Sequence, residues 1–253
     1  MVETVLLYGH RPLRLVSFDI DGTIAVGHGW RAIARSRGML KDFDLAQVAF
    51  REGGVSENDH LRRLLNFAQD MPLRDLEKVL ERTRHVPHLR ATVRALHERG
   101  VQVALLTHNP LYVCEWYARR FGFDLWAGVH QRVHRGRIQG VREVKVDKRE
   151  GLRLLLKATG VPASETAHLG DGLADAKVFP HVASGIALNS RVPEVRRASD
   201  LIADTMDARA LLPYLRWGLK LRPRPLPRGN PGPDPGSFRL GRARTPQRRP
   251  HKF

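Results

Sequence analysis

The stretch Leu15-Val-Ser-Phe-Asp-Ile-Asp-Gly-Thr-Ile24 joins an apolar run to two carboxylates. The apolar run predicts a buried strand over Leu13–Phe18. Asp19 and Asp21 follow it directly, and Gly22 lets the chain bend sharply, so both acids are expected to face one pocket. A simple turn at the end of a strand, or a calcium-type loop, could have the same run. The meaning of the stretch therefore depends on the motifs that lie later in the chain.

Further apolar runs rich in Val, Ile and Leu recur between helical patterns. They predict strands at Val101–Leu106, Thr166–Leu169, Gly185–Leu188 and Leu201–Ala203. This alternation predicts an α/β fold with a doubly wound, mostly parallel sheet. Polar residues directly follow three of the runs, namely Asp19, Thr107 and Asp171. Ligands bind at the carboxyl ends of such strands, so we expect these three residues to line a site.

More than 80 residues separate the first two predicted strands, too many for one crossover helix. Helical patterns lie around 30–37, 57–69 and 74–84, with a helix start at Ser56 and a break at Met71-Pro72. They predict an inserted helical cap over residues 27–86. The core domain would then comprise residues 1–26 and 87–220.

Two later segments have distinct patterns. After a predicted helix at Leu111–Phe121, residues 129–141 alternate around Arg135-Gly136 and predict a small hairpin. Residues 221–253 contain eight prolines and four glycines, so we expect a disordered tail. This tail has nine Lys or Arg residues and one acid, Asp234.

Composition excludes several classes of protein. The single cysteine, Cys114, cannot form an internal disulfide, and no Cys/His cluster has the spacing of a zinc site. No apolar stretch approaches the roughly 20 residues that cross a bilayer, and residues 1–12 lack the apolar run of a signal peptide. The sequence therefore predicts a cytoplasmic protein with no membrane association. It makes no prediction of oligomeric state.

Four elements that could carry chemistry occur in a fixed order. They are Asp19 with Asp21, then Thr107 at a strand end, then Lys148 at a helix start, then Gly170-Asp-Gly-Leu-Ala-Asp175. This order resembles the haloacid dehalogenase superfamily from about residue 13 to 215, and it is nearest to the phosphoserine-phosphatase-like branch. That branch has a helical cap at the same insertion point.

The resemblance implies a magnesium-dependent phosphatase that forms an aspartyl-phosphate. Asp19 would be the nucleophile and Asp21 the general acid and base, because phosphatases of this superfamily have Asp at the second position. Thr107 and Lys148 would complete the catalytic set by holding the phosphate and neutralising its charge. The implied ligands of Mg²⁺ are Asp19, the backbone carbonyl of Asp21, and Asp171, with Asp175 supporting them directly or through water.

The residues expected to contact substrate are Thr107, Lys148, His108, Asn109, His28 and Arg63. Several positions depart from the phosphoserine-phosphatase pattern. His28 stands where that branch has an amine-binding glutamate, and Leu64 where it has a carboxylate-binding arginine. His108 replaces a small residue, and Ala174 an asparagine. The substrate is therefore expected to be a small phosphorylated metabolite other than phosphoserine.

The net charge of +17 raises an alternative function. A nucleic-acid-associated protein could use the basic tail to bind phosphates nonspecifically, with the α/β domain inert or acting on polynucleotide ends. The intact acid pair, Asp19 and Asp21, favours the phosphatase.

Overall fold

The fold is taken from a computed structural model of the protein, which describes residues 10–227 and 237–243. Within these residues, seven strands form the main sheet: β1 Leu15–Phe18, β2 Gln102–Pro110, β3 Leu125–Val129, β6 Thr166–Gly170, β7 Ser184–Leu188, β8 Leu201–Ala203 and β9 Phe238–Arg242. The short strands β4 Val133–His134 and β5 Arg137–Ile138 form a separate pair.

The main sheet has the strand order β8-β7-β6-β1-β2-β3-β9. All neighbours pair in parallel except β3 and β9. Strand β1 lies in the middle, where Leu15 pairs with Gln102 on one side and with Thr166 on the other. The predicted α/β, doubly wound and mostly parallel sheet is confirmed, and each predicted strand is present within a few residues of its expected bounds.

Helices connect the strands and cover the sheet. They are α1 Gly29–Ser36, α2 Leu40–Arg51, α3 Glu57–Asn66, α4 Leu73–Arg82, α5 Leu89–His97, α6 Leu111–Phe121, α7 Lys148–Thr159, α8 Leu173–Ala176 and α9 Pro193–Ala198. Among the described residues, no helix is both long and apolar enough to pass through a membrane.

The core lies on both faces of the sheet because side chains alternate along each strand. Val103 and Leu105 of β2 belong to a large apolar cluster, whereas Ala104 and Leu106 belong to a second one. The second cluster also contains Leu152 of α7. Helix α7 therefore covers one face of the sheet beside β2.

Four helices, α1 to α4, lie within residues 27–86, where the sequence predicts a cap, and α5 follows them as the crossover helix that leads to β2. Two backbone hydrogen bonds join the ends of this segment, from Val26 N to Arg84 O (2.8 Å) and from Val86 N to Ile24 O (2.9 Å). Helix α2 was not predicted, because only Phe43 and Ala46 of its twelve residues are buried. The division into domains at residues 27 and 86 stays a prediction.

The predicted hairpin at residues 129–141 is present as β4 and β5. Arg135 and Gly136 both have positive φ, 47° and 71°, as a two-residue type I′ turn requires. The hairpin also pairs with the segment before α4, where Asp70 N donates to Ile138 O (2.8 Å) and Leu73 N to Gly136 O (2.9 Å). It therefore ties the helical insertion to the rest of the chain.

The C-terminal segment differs from its expectation of disorder. Residues 238–242 form β9, which pairs antiparallel with β3 from Phe238–Val129 to Arg242–Leu125. Phe238 is buried, and Gly241 leaves room for the Trp126 indole, which an added Cβ would approach to 2.1 Å. Composition missed this strand because its apolar residues are few and surrounded by proline and glycine. The rest of the predicted tail, residues 228–236 and 244–253, lies outside the described residues.

Removal of β9 is expected to destabilise the protein. A chain that ends at residue 227 loses the burial of Phe238, which is worth about 2 kcal/mol by itself, and exposes the edge of β3. A chain that ends at residue 243 keeps the strand and is the matched control. Urea denaturation followed by circular dichroism measures the free energy of unfolding of both. Equal values would contradict the packing of β9.

Candidate active site

The polar residues predicted to line a site meet at one edge of the sheet. Asp19 follows β1, Thr107 lies near the end of β2, and Asp171 follows β6. These three strands are neighbours in the order β6-β1-β2, so their carboxyl ends are adjacent. The register of the parallel strands, not closeness in sequence, therefore brings the three side chains together.

Lys148 is the first residue of α7, and its ammonium group lies inside this site. The residue is 2% exposed, and its Nζ is 2.5 Å from Asp175 Oδ1 and 3.2 Å from Asp19 Oδ1. The helix starts here because the Asp147 side chain accepts a hydrogen bond from Arg149 N and caps it. One lysine thus bridges an acid that follows β1 and an acid in α8.

The charges of this trio depend on each other. Burial lowers the pKa of Lys148, but Asp175 and Asp19 outweigh that effect and raise it above its ordinary value. Burial raises the pKa of Asp175, but Lys148 and His168 outweigh that effect and hold it well below the usual range. Burial raises the pKa of Asp19 to about 6, although Lys148 opposes the rise. Asp175 therefore carries the more stable negative charge of the pair.

Three carboxylates form a cluster that suits a divalent cation. One oxygen each from Asp19, Asp171 and Asp175 lies within 4.8 Å of the others. Burial, together with the nearby charges of Asp19 and Asp175, raises the pKa of Asp171 to about 8. Hard cations prefer such oxygen ligands, and their charge would relieve the repulsion among the acids. The donor set therefore fits a metal ion.

Asp175 differs from the other two acids because protein donors already surround it. Its Oδ1 accepts from Lys148 and from His168 Nε2 (2.7 Å), and its Oδ2 accepts from Gly172 N (3.0 Å). Asp171 has fewer partners, with Thr23 Oγ1 donating to its Oδ1 at 3.1 Å. Asp19 and Asp171 are thus better placed to bind a cation directly, and Asp175 to hold Lys148.

The second acid of the opening motif is oriented separately. Asp21 Oδ1 accepts from Gly29 N at 2.5 Å, and Asp21 Oδ2 accepts from Asn109 Nδ2 at 3.0 Å. The first donor begins α1 and the second lies at the end of β2. Asp21 is therefore held between the helical insertion and the sheet, close to Asp19 but outside the Lys148 trio.

Thr107 and Asn109 form the third side of the site. Both are buried, and the Thr107 hydroxyl accepts hydrogen bonds from Asn109 N (3.3 Å) and Nδ2 (3.1 Å). Its hydroxyl also donates to Asp19 and lowers that residue's pKa. A hydroxyl in this position can donate to a phosphate oxygen when a substrate is bound.

Two glycines allow the acids to approach the backbone closely. A Cβ on Gly22 would lie 2.1 Å from Asp171 Oδ2, and a Cβ on Gly170 would lie 2.0 Å from Asp175 Cγ. Gly22 also has a φ of 76°, which side-chain-bearing residues rarely adopt. Glycine at these positions is therefore a requirement of the site.

Sequence reasoning missed two buried polar residues behind the site. Ser17 of β1 and His168 of β6 are register partners, and Ser17 Oγ lies 2.9 Å from His168 Nδ1. His168 in turn donates from Nε2 to Asp175. Burial lowers the pKa of His168, so a neutral ring that accepts from Ser17 and donates to Asp175 is favoured. The sequence could have indicated them, because each is a polar residue inside a largely apolar strand.

The other residues predicted to contact substrate, His28, Arg63 and His108, lie on or beside three different elements. His28 is exposed, and it precedes Gly29, the residue whose N–H binds Asp21. Arg63 is exposed and lines a groove between α2 and α3. His108 follows Thr107, and its Nε2 is buried. The roles of these residues in substrate binding stay predictions.

The helical insertion closes over this edge of the sheet through its third helix. Glu57 Oε2 lies 2.5 Å from Lys177 Nζ, and Asn58 Oδ1 accepts from Val146 N at 3.2 Å. Lys177 is two residues after Asp175, and Val146 is two residues before Lys148. The start of α3 is therefore anchored beside the buried acids.

A family model for haloacid dehalogenase-like hydrolases matches residues 13–181. The chain belongs to the haloacid dehalogenase-like hydrolases. The match includes every predicted catalytic residue and metal ligand, from Asp19 to Asp175. It ends before β7, so β9 lies outside it.

Curated relatives of this haloacid dehalogenase-like chain are phosphatases. A phosphoserine phosphatase of Methanocaldococcus jannaschii is 24% identical over 80% of this chain and 98% of its own length. A phosphoglycolate phosphatase of Methanopyrus kandleri is 24% identical over 72% of this chain and 76% of its own length. The predicted phosphatase class is confirmed, and these comparisons give no support to the nucleic-acid alternative.

Solved structures resemble the fold over the same part of the chain. A phospho-aspartyl intermediate analogue of phosphoserine phosphatase has a TM-score of 0.69 and 24% identity, and the similarity covers 81% of this chain and all of that one. A substrate-bound phosphoserine phosphatase complex has a TM-score of 0.69 and 23% identity, covering 81% of this chain and 99% of that one. At 23–24% sequence identity, this structural similarity supports the fold alone.

Substitution of Gly22 tests the close approach of Asp171. Gly22→Ala combines an unfavourable φ with a clash at Asp171, whereas Gly27→Ala has a similar φ of 85° and open space around its Cβ. We expect Gly22→Ala to lower kcat/KM for p-nitrophenyl phosphate by about 100-fold relative to Gly27→Ala, because Asp171 is displaced. Steady-state kinetics and melting temperatures of both variants check this. Similar kinetics in the two variants would show that the contact is unimportant.

Proposed function

We propose that this protein is a Mg²⁺-dependent phosphomonoester hydrolase that works through an aspartyl-phosphate on Asp19. The observation that carries the proposal is the buried Lys148 between Asp19 and Asp175, beside the Asp171 carboxylate. Lys148 neutralises part of the negative charge, and the neighbouring carboxylates can bind a cation. Such a site suits a phosphate ester, which carries two negative charges. The family match supports the same reaction class.

Asp19 has the surroundings of a nucleophile. Lys148 contacts Asp19 Oδ1 and the Thr107 hydroxyl donates to the same carboxylate, so both groups orient it. Attack forms a bond between the Asp19 oxygen and phosphorus and breaks the bond to the leaving alkoxide. Lys148 meanwhile neutralises charge on the phosphoryl oxygens.

Asp21 has the surroundings of a general acid and base. Hydrogen bonds from Gly29 N and Asn109 Nδ2 orient its two oxygens. In the first step, Asp21 gives a proton to the leaving alkoxide. In the second, it takes a proton from the water that attacks the aspartyl-phosphate, so phosphate is released and Asp19 is regenerated.

Mg²⁺ is proposed because the available ligands are all oxygens. Asp19, the backbone carbonyl of Asp21 and Asp171 would hold the ion, with Asp175 supporting them. The bound ion would neutralise negative charge on the phosphate and on Asp19. Thr107 and the backbone N–H groups after it would bind the phosphoryl oxygens, and Asn109 would keep the Thr107 hydroxyl in place.

The substrate proposed is a small phosphorylated metabolite other than phosphoserine. The curated relatives include enzymes named for phosphoserine and for phosphoglycolate, so the branch is not restricted to one leaving group. In this chain, the buried Leu64 offers no charge to a substrate carboxylate, and His28 offers no negative charge to an amine. These two positions therefore lack the charges expected for recognition of phosphoserine, although the neighbouring Arg63 offers a positive charge.

Substitution of the two acids tests the mechanism. Asp19→Asn is expected to lower turnover of p-nitrophenyl phosphate by more than about 10⁴-fold, because an amide cannot form the intermediate. Asp21→Asn should instead release about one equivalent of p-nitrophenolate rapidly, since this leaving group needs little protonation, and then hydrolyse slowly. Stopped-flow absorbance separates the two outcomes. Normal turnover by Asp19→Asn would refute the nucleophile assignment.

Metal removal tests the proposed ion. Dialysis against EDTA should abolish phosphatase activity, and added Mg²⁺ should restore it, because the clustered acids otherwise repel the substrate. Asp171→Asn should weaken the apparent Mg²⁺ affinity by about 10-fold or more. Asp204→Asn, at an exposed surface ion pair, is the control. Full activity after EDTA treatment would contradict metal dependence.

A further inference from the structure

Five described residues have a buried side-chain nitrogen without a hydrogen-bond partner, and of these His108 directly follows a residue of the candidate active site. It follows Thr107 in β2 and lies on the same face of the strand as Ala104 and Leu106. The residue is partly exposed, but its Nε2 is buried and has no hydrogen-bond partner within the described part of the chain. Buried polar atoms are almost always paired, so this nitrogen calls for a partner.

The surroundings of the His108 ring are charged and belong to the site. The charges of Lys148 and Asp175, which lie in the core, influence the pKa of His108. The charges of Glu57 and Lys177, which lie where the helical insertion contacts the core, influence it as well. Burial, together with Lys148, lowers the pKa of His108 to about 4, so the imidazole is neutral at neutral pH. A neutral ring can donate one hydrogen bond without adding a charge to the site.

The C-terminal strand supplies the residue that packs against this ring. The ring centroids of Phe238 and His108 are 5.6 Å apart at an interplanar angle of 43°. On the α7 side, Gly151 makes room for Phe238, because a Cβ there would lie 3.1 Å from two of its ring carbons. Gly151 is three residues after Lys148, so Phe238 lies between the start of α7 and His108.

The position of Phe238 is well defined by its strand. Beside it, His130 N donates to Ser237 O at 2.8 Å, and Phe238 pairs with Val129. At the other end of β9, Ala243 N donates to Asp124 O at 2.9 Å. The backbone of the strand is therefore paired at both ends, which places the Phe238 side chain beside His108.

We propose that His108 Nε2 donates a hydrogen bond to an oxygen of the bound phosphoryl group, and that Phe238 is a positioning residue for His108. The proposal rests on the phosphatase function proposed above. It makes the C-terminal strand part of the substrate site, although this strand lies outside the residues that match the family model. A buried water would also satisfy Nε2, but it would leave phosphate affinity insensitive to Phe238.

The test is a double-mutant cycle on phosphate binding. The variants are His108→Ala, Phe238→Leu and the double variant, with Leu240→Ala as the matched control. Leucine at 238 keeps apolar volume in the cluster and protects the fold. Leu240 lies on the same face of β9 and packs against the same cluster. The measurement is the inhibition constant of inorganic phosphate against p-nitrophenyl phosphate hydrolysis with Mg²⁺, together with kcat and the melting temperature.

We expect His108→Ala to raise the inhibition constant about 10-fold, with a smaller change in kcat. Phe238→Leu should raise it about threefold alone and add little in the His108→Ala background, whereas Leu240→Ala should stay within about twofold of the wild type.

Three results would overturn the proposal. The first is an unchanged inhibition constant in His108→Ala. The second is an inhibition constant of Phe238→Leu equal to that of Leu240→Ala. The third is an inhibition constant of the double variant that equals the product of the two single fold-changes. An inactive wild-type protein would overturn the proposed function and this inference with it. An active wild type with uncoupled variants would overturn this inference alone.

Discussion

The buried ammonium group of Lys148 is the interaction on which the site depends. It lies between Asp175 at 2.5 Å and Asp19 at 3.2 Å, and Asp171 is close to both acids. Buried carboxylates without a counter-charge are costly, and loss of one partner from a buried pair destabilises a protein by about 3–5 kcal/mol. The fold must therefore place the start of α7 next to the acids that follow β1 and β6. The parallel sheet with its crossover helices has this arrangement.

Each acid of the site has a different environment. Asp175 is saturated with protein donors, Asp171 has few, and Asp21 is held by neutral N–H groups from α1 and β2. Asp175 thus holds Lys148 in place, whereas Asp171 and Asp21 keep fewer contacts with the protein. The helical insertion contacts this edge through the ion pair between Glu57 and Lys177.

Local patterns predicted the parts of the fold that local physics controls. The buried strands, the helix start at Ser56 and the Arg135-Gly136 turn follow from apolar runs, a capping hydroxyl and positive φ. Helix α2 has too few buried residues to give a clear amphipathic pattern, and β9 lies in a proline-rich segment. Strand β9 forms because the edge of β3 and the space beside Gly151 accept it, and no local pattern encodes that edge.

The sequence by itself determined the class of protein and the chemical groups. The order Asp19, Asp21, Thr107, Lys148, Asp171 and Asp175 is readable without coordinates, because each residue ends or begins a recognisable element. Only the tertiary structure decided how these groups share their charge, that Ser17 and His168 stand behind Asp175, and that Phe238 packs on His108. These contacts join residues up to 151 positions apart, and strand register and burial, which arise only when the sheet assembles, bring them together.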